Sequence, residues 1–272
     1  MTHVPTSELI NRPVVGANVI LLEQAEAFVQ ASEDTQIPII LQLSENAALF
    51  HGGLRPMVGA LLSLAESSSA DIGIHLDHAT SEELVIEAVG LGVRSVMFDA
   101  SLDDDEVNIR RTSDLVRKLQ PEGVWVEGEI GEIGGKAGSH APGALTPVVD
   151  GIRFAAETGV HGLAVAVGSS HHMSEKLASL DFSRIEQLAS EVPVPLVLHG
   201  SSGVPLDDIQ RAVRCGIRKV NVATEFNAVF VRAIREALDI DSTLVDPRKF
   251  LEPAKSALQQ AMATYLEAVA SP

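Results

Sequence analysis

Residues 72–100 read IGIHLDHATSEELVIEAVGLGVRSVMFDA. The apolar run at 72–77 reads as a strand. Thr80 or Ser81 then precedes Glu82-Glu83, an N-cap followed by acidic residues suited to a first helical turn. A helical stretch at 82–91 leads to a second apolar run, 95–100. Strand, helix and strand in about thirty residues is the unit from which parallel sheets are built.

The unit recurs along the chain. Further β-branched runs lie at 14–18, 37–44, 124–130, 162–167, 195–200 and 219–224. Helical stretches separate them, at 22–34, 56–69, 104–119, 150–158, 183–190 (opening on Ser183), 205–214 and 225–238. Eight such units in 272 residues favour an α/β fold closed as a (β/α)8 TIM barrel over an open doubly wound sheet. No G-x-G-x-x-G follows the first run, which also argues against a dinucleotide fold. No linker divides the chain, so 1–272 is read as one domain. Two parts fall outside the pattern. The stretch GEIGGKAGSHAPGALT at 131–146 is too long for a simple connection and reads as a functional or irregular loop. Beyond Asp246-Pro247-Arg248 a further helix at about 251–269 forms a C-terminal extension, about 240–272, that could pack on the barrel or on a second subunit.

Composition narrows the partners. A formal net charge of −17 argues against nucleic acid and anionic membrane surfaces. Any phosphate must be met by local backbone N–H groups and a few placed cations. Cys215 is the single cysteine, which excludes an intramolecular disulfide and a multi-thiolate zinc site. The first thirteen residues carry no signal pattern and no apolar run has membrane-spanning length, so a cytoplasmic protein is the expectation.

Barrels of this kind carry their chemistry at the C-terminal ends of the strands. There the chain places His78, His171 and His199, each closing a separate apolar run. Alternation puts His75 and Asp77 on one face of the third run, with His78 where strand becomes loop, and Glu127 and Glu129 on one face of the fifth. Three histidines with a position left open is the pattern of a catalytic zinc, and a carboxylate beside it suits proton transfer. Gly200-Ser201-Ser202-Gly203 and Asn221-Val222-Ala223-Thr224 both run into helices, where backbone N–H groups bind phosphate. Ordinary helix capping accounts for the hydroxyls equally well at each site taken singly.

These residues carry a resemblance to the class II, metal-dependent ketose-bisphosphate aldolases, which include the fructose- and tagatose-bisphosphate enzymes. It rests on IHLDH at 74–78, VMFDAS at 96–101, VEGEIG at 126–131, AVAVGSSH at 164–171, LVLHGSSG at 196–203, KVNVATE at 219–225 and DPRKFLEPA at 246–254. The resemblance implies aldol cleavage of a phosphorylated ketose to dihydroxyacetone phosphate and an aldehyde. It implies Zn²⁺ on His78, His171 and His199, and Asp77 as catalytic acid/base. It places Asp99 and Glu129 at a second metal, with a monovalent cation nearby in many members. Gly168, Gly200, Ser201, Ser202, Asn221, Val222, Ala223 and Thr224 would hold a phosphate and neighbouring hydroxyls, with Ser44 at the second phosphate and Lys176 near a lysine of the family. Arg248 would reach a neighbouring subunit's site, which implies a homodimer or homotetramer. Lys219 is expected to face the opposite end of the barrel, and Trp125 to pack against a helix.

Three departures stand out. Apolar residues follow Asn18 where a substrate-binding asparagine is expected. His172 stands where the family has glycine. Gly134-Gly135 is followed by Lys136 rather than a glutamate, leaving Glu132 as the nearest proton-transfer group on the loop. These changes suggest an altered substrate. A non-catalytic sugar-phosphate-binding barrel and a zinc hydrolase are the alternative readings.

Overall fold

The computed structural model describes residues 3–130, 145–169, 176 and 178–271. Eight parallel strands close into a ring in chain order: β1 Val14–Asn18, β2 Ile39–Ser44, β3 Ile72–Ala79, β4 Ser95–Phe98, β5 Trp125–Glu129, β6 Gly162–Ala164, β7 Leu196–Leu198 and β8 Ile217–Val222. β1 pairs with both β2 and β8, so the described sheet leaves no edge. The helices are α1 Thr6–Leu9, α2 Leu22–Thr35, α3 Glu45–Phe50, α4 Arg55–Ser67, α5 Glu82–Gly90, α6 Asp105–Leu119, α7 Val148–Thr158, α8 Phe182–Glu191, α9 Leu206–Cys215, α10 Thr224–Ile240 and α11 Pro247–Ala270.

The helices form where one apolar stripe faces the sheet. In α6, Asn108, Ile109, Thr112, Leu115, Val116 and Leu119 are buried at helical spacing. Asp105 and Glu106 lie in its first turn and Arg117 and Lys118 in its last, each at the dipole end that favours it. Ser81 caps α5 by accepting from Leu84 N. At α8 the cap is Asp181, which accepts from Arg184 N, and not Ser183. The C-terminal α11 packs on its own barrel. Phe28 of α2 meets Phe226 of α10 edge-on, Phe226 meets Tyr265 of α11 the same way, and Lys255 pairs with Glu26. α11 therefore covers the seam between the first and last units. No helix among the described residues is long and apolar enough to cross a membrane.

The barrel interior is layered, as the period of two requires. Trp125 stands at the bottom with Leu9, Ile10, Val14, Ile40, Met97 and Val197. It faces inward, not toward a helix as expected. β5 must send Trp125, Glu127 and Glu129 to one side, and Gly162 on β6 makes room for the indole, since a Cβ there would lie 2.5 Å from its ring. Above this floor come His75, Glu127 and Lys219, all fully buried. Lys219 thus lies in the barrel interior rather than at its opposite end.

Candidate active site

The C-terminal mouth of the barrel opens into a cavity of about 660 Å³, lined by residues that include Asn18, Ser44, Asp77, His78, Asp99, His199, Asn221 and Thr224. A volume of this size suits a small-molecule ligand.

β3 does not give way to loop at His78, as the apolar run alone predicts. The strand runs on to Ala79, with its register to β4 shifted between Leu76 and Ala79. His78 takes φ of +49°, the left-handed region that a residue with a Cβ adopts at a cost of roughly 1–2 kcal/mol. The irregularity turns the His78 ring into the cavity mouth, a known use of such local strain.

Two carboxylates decide how the imidazoles face. Asp99 Oδ2 lies 2.8 Å from His78 Nδ1, and Glu127 Oε1 lies 2.8 Å from His199 Nε2. A carboxylate only accepts, so each draws the ring proton to the nitrogen it faces, and the Asn221 amide 2.9 Å from His199 Nε2 then turns its oxygen, otherwise without a partner, toward that proton. The neutral rings then turn their lone pairs outward from His78 Nε2 and His199 Nδ1, and these nitrogens stand 3.1 Å apart. Two facing lone pairs repel; a positive charge between them turns repulsion into attraction. A tetrahedral ion with metal–nitrogen bonds of about 2.0–2.1 Å sets its nitrogens about 3.3 Å apart, close to that separation. Donor atoms of Asp77, His78 and His199 all lie within 4.8 Å of one another, and His78, Asp99 and Glu129 make a second such group. The donor set therefore fits a divalent metal. His171 and Glu132 lie outside the described residues.

Asp77 is buried beside this pair. Its Oδ2 accepts from Asn18 Nδ2 at 2.6 Å, and Asn18 Oδ1 accepts from Gln42 Nε2 at 2.9 Å. Its Oδ1 is buried with no partner among the described residues. Burial alone would raise the Asp77 carboxyl, but His78 and His199 when they carry a proton, with Lys219 and the Asn18 donor, outweigh it and hold the group below the usual carboxylate value. Asp77 is thus an ionised acceptor that lines the cavity, with one oxygen anchored and the other left without a partner among the described residues.

The β7–β8 side is built of backbone and hydroxyls. Gly200 takes φ of +67° and Gly168 φ of +103°, and a Cβ at Gly168 would lie 2.3 Å from Ser179 O. Ser202 Oγ accepts from Ala223 N at 3.4 Å. Ser201 spends its hydroxyl on Asn221 O at 2.5 Å, tying β7 to β8. Val222, Ala223 and Thr224 line the cavity, and α10 opens there with no side-chain cap. An uncapped seventeen-residue helix pointing its N-terminus into a cavity is suited to an anion. At the end of β2, Ser44 caps α3 through Ala47 N, and Glu45 accepts from Thr80 N at 2.7 Å. Lys176 pairs with Glu225 at 2.7 Å. Arg248 is exposed, pairs with Asp246 and does not line this chain's cavity.

Residues 10–272 match the family model described as fructose-bisphosphate aldolase class-II. The chain belongs to that family. It is 35% identical to the fructose-bisphosphate aldolase of Geobacillus stearothermophilus over 276 residues, covering 95% of this chain and 94% of the relative. It is 36% identical to that of Staphylococcus epidermidis over 254 residues, covering 89% and 86%. Among solved structures it resembles the YdjI aldolase from Escherichia coli K12, with a TM-score of 0.84 and 27% identity over 97% of this chain and 95% of that one. The protein is a class II aldolase, a carbon–carbon lyase on a (β/α)8 barrel. Asn18, Gln42, Glu127 and Lys219 join the aldolase site beyond the residues that the motifs point to. Alternation along β1, β2, β5 and β8 was the available signal for all four.

Proposed function

We propose that this aldolase cleaves a phosphorylated ketose reversibly to dihydroxyacetone phosphate and an aldehyde, with zinc held by His78, His199 and His171. The observation that carries the reading is the pair of imidazole nitrogens 3.1 Å apart beside the buried Asp77 carboxylate. Zinc, when bound, supplies Lewis-acid polarisation of the ketose oxygens and offsets the charge of the enediolate left by cleavage. Asp77 Oδ1 takes the proton from the hydroxyl at the breaking bond and returns it in the condensation direction. The chain from Gln42 through Asn18 holds the other Asp77 oxygen, so the base does not turn away. The phosphate sits on the β7–β8 side against Gly168, Gly200, Ser201, Ser202, Asn221, Val222, Ala223 and Thr224. Lys176 lies beside that cradle, near the start of α10, and Ser44 stands at the far end. Proton transfer at the enediolate carbon falls to Glu132 in this reading. Asp99 and Glu129 orient His78 and offer a second cation site.

Apolar Ile20 lines the cavity just beyond Asn18. Loss of one buried hydrogen-bond partner for a substrate group costs on the order of 1–3 kcal/mol. A ketose phosphate other than fructose 1,6-bisphosphate is therefore expected to be the better substrate. The test is a substrate panel with zinc-loaded and chelator-treated protein, read by release of dihydroxyacetone phosphate. Zinc-dependent cleavage of at least one ketose phosphate, with fructose 1,6-bisphosphate not the fastest, is expected. Cleavage of none while dihydroxyacetone phosphate still binds would refute the catalytic reading.

The same reading makes the enzyme a homodimer or homotetramer in which Arg248 serves a neighbouring subunit. Arg248→Ala should raise KM for a bisphosphate about tenfold, in line with a lost charge-assisted hydrogen bond. An active monomer by light scattering would remove this part of the proposal.

A further inference from the structure

Glu127, Lys219 and His75 lie below the metal-site residues, each 0% exposed. Glu127 divides its oxygens: Oε1 faces His199 Nε2 at 2.8 Å, and Oε2 accepts from Lys219 Nζ at 2.7 Å. Lys219 Nζ is also 3.5 Å from His75 Nε2, and His75 Nδ1 is 2.7 Å from Ser95 Oγ. The series Ser95, His75, Lys219, Glu127, His199 thus leads from the barrel wall to a ring of the proposed metal site, and Glu127 has no freedom to turn without breaking its ion pair.

A fully buried ion pair is seldom worth more to stability than apolar residues of the same volume, because desolvation offsets the attraction. The barrel core gains little from a charged pair here that leucine and methionine would not supply. What apolar residues would not supply is the acceptor at His199 Nε2.

We infer that Glu127, braced by Lys219, is a positioning residue for the metal: it fixes the tautomer and ring angle of His199 so that Nδ1 faces the cavity. The inference rests on the proposed zinc reading of that cavity. Carboxylates behind metal-binding histidines typically govern metal affinity by about 10–100-fold.

Two double variants separate positioning from packing. Glu127→Leu with Lys219→Met removes both charges and the acceptor. Glu127→Gln with Lys219→Met removes both charges and keeps an acceptor oxygen. Zinc affinity is read by chelator competition, and folding by thermal melting of the metal-free full chain. The Leu/Met variant should melt near wild type yet bind zinc about 10–100-fold more weakly, and the Gln/Met variant should stay within about threefold of wild type. A folded Leu/Met variant that binds zinc as wild type does would overturn the inference. Nitrogen NMR of the metal-free wild-type chain gives a second reading that needs no variant. The His199 proton should sit on Nε2, and a proton on Nδ1 would overturn the inference even if the variants fail to fold. Wild-type protein that binds no zinc defeats the zinc reading and this inference together, whereas zinc binding unaffected by the variants defeats this inference alone.

Discussion

Two layers of the barrel interior come from the same strands two residues apart. β3 supplies His75 to the lower layer and Asp77 to the upper, β5 supplies Glu127 and Glu129, and β8 supplies Lys219 and Asn221. The lower layer is sealed, and its charges answer one another: Lys219 pairs with Glu127 and approaches His75. In the upper layer Asp77 and Asn221 line the cavity. One period-two pattern therefore builds both a closed polar network and an open reactive surface. What separates them is depth, a difference of about two strand residues or some 6–7 Å. Similar residue types hold ring geometry below and carry chemistry above.

The sharpest way to break this division is at Asp77. Asp77→Asn keeps an oxygen to accept from Asn18 but cannot take a proton. Turnover should fall about 10²–10⁴-fold, while melting temperature and metal content stay near wild type. Steady-state kinetics beside thermal denaturation and metal analysis check it. A large loss of stability would mean that the upper layer also holds the fold.

The lower layer should answer in the opposite sense. Lys219→Met alone leaves the Glu127 carboxylate buried without its counter-ion, a change that typically costs 3–5 kcal/mol, so about that much stability should be lost. Denaturant unfolding of the metal-free chain measures it. An unchanged unfolding free energy would show that the network is not a charge-balanced unit.

The contrast between layers also explains what the sequence could disclose. The barrel was legible because each unit alternates apolar strand with amphipathic helix, and the expected and observed strands overlap throughout. β8 begins at Ile217, two residues before the expected start, because exposed Arg218 interrupts the apolar run. Helix α3 went unread because its Leu49 and Phe50 are 68% and 70% exposed, so no apolar stripe marks it. His78 and His199 were legible as histidines closing apolar runs. Glu127 and Glu129 were seen to share a face, yet which one stands behind His199 depends on depth across strands, and no single strand encodes that. Alternation puts Trp125 on the face of Glu127 and Glu129, and Lys219 on the face of Asn221, so both turn inward against expectation; only the depth at which each stands is left to pairing across strands.

The smallest expected effect is a pH dependence of stability that comes from His75 alone. Burial in the sealed layer, with Lys219 beside it, pushes this imidazole well below its usual value of 6.5, against the smaller opposing pull of Glu127; His199 and His78 press in the same direction as Lys219. In the unfolded chain the ring titrates near 6.5. Above that pH neither state binds the proton, and His75 contributes no slope. Below it the unfolded chain takes up a proton that the folded chain refuses, so stability falls with falling pH. The limit is about 1.4 kcal/mol per pH unit for one proton, until the folded group itself titrates. His75→Gln removes the titrating ring and leaves a polar side chain facing Lys219. Unfolding free energies of the metal-free wild type and the variant, measured from pH 8 to pH 5, should run parallel above about pH 6.5. Below that, the wild type should lose stability more steeply, by up to that slope. Identical slopes down to pH 5 would show that His75 accepts a proton in the folded barrel, and that the lower layer is less sealed than its burial indicates.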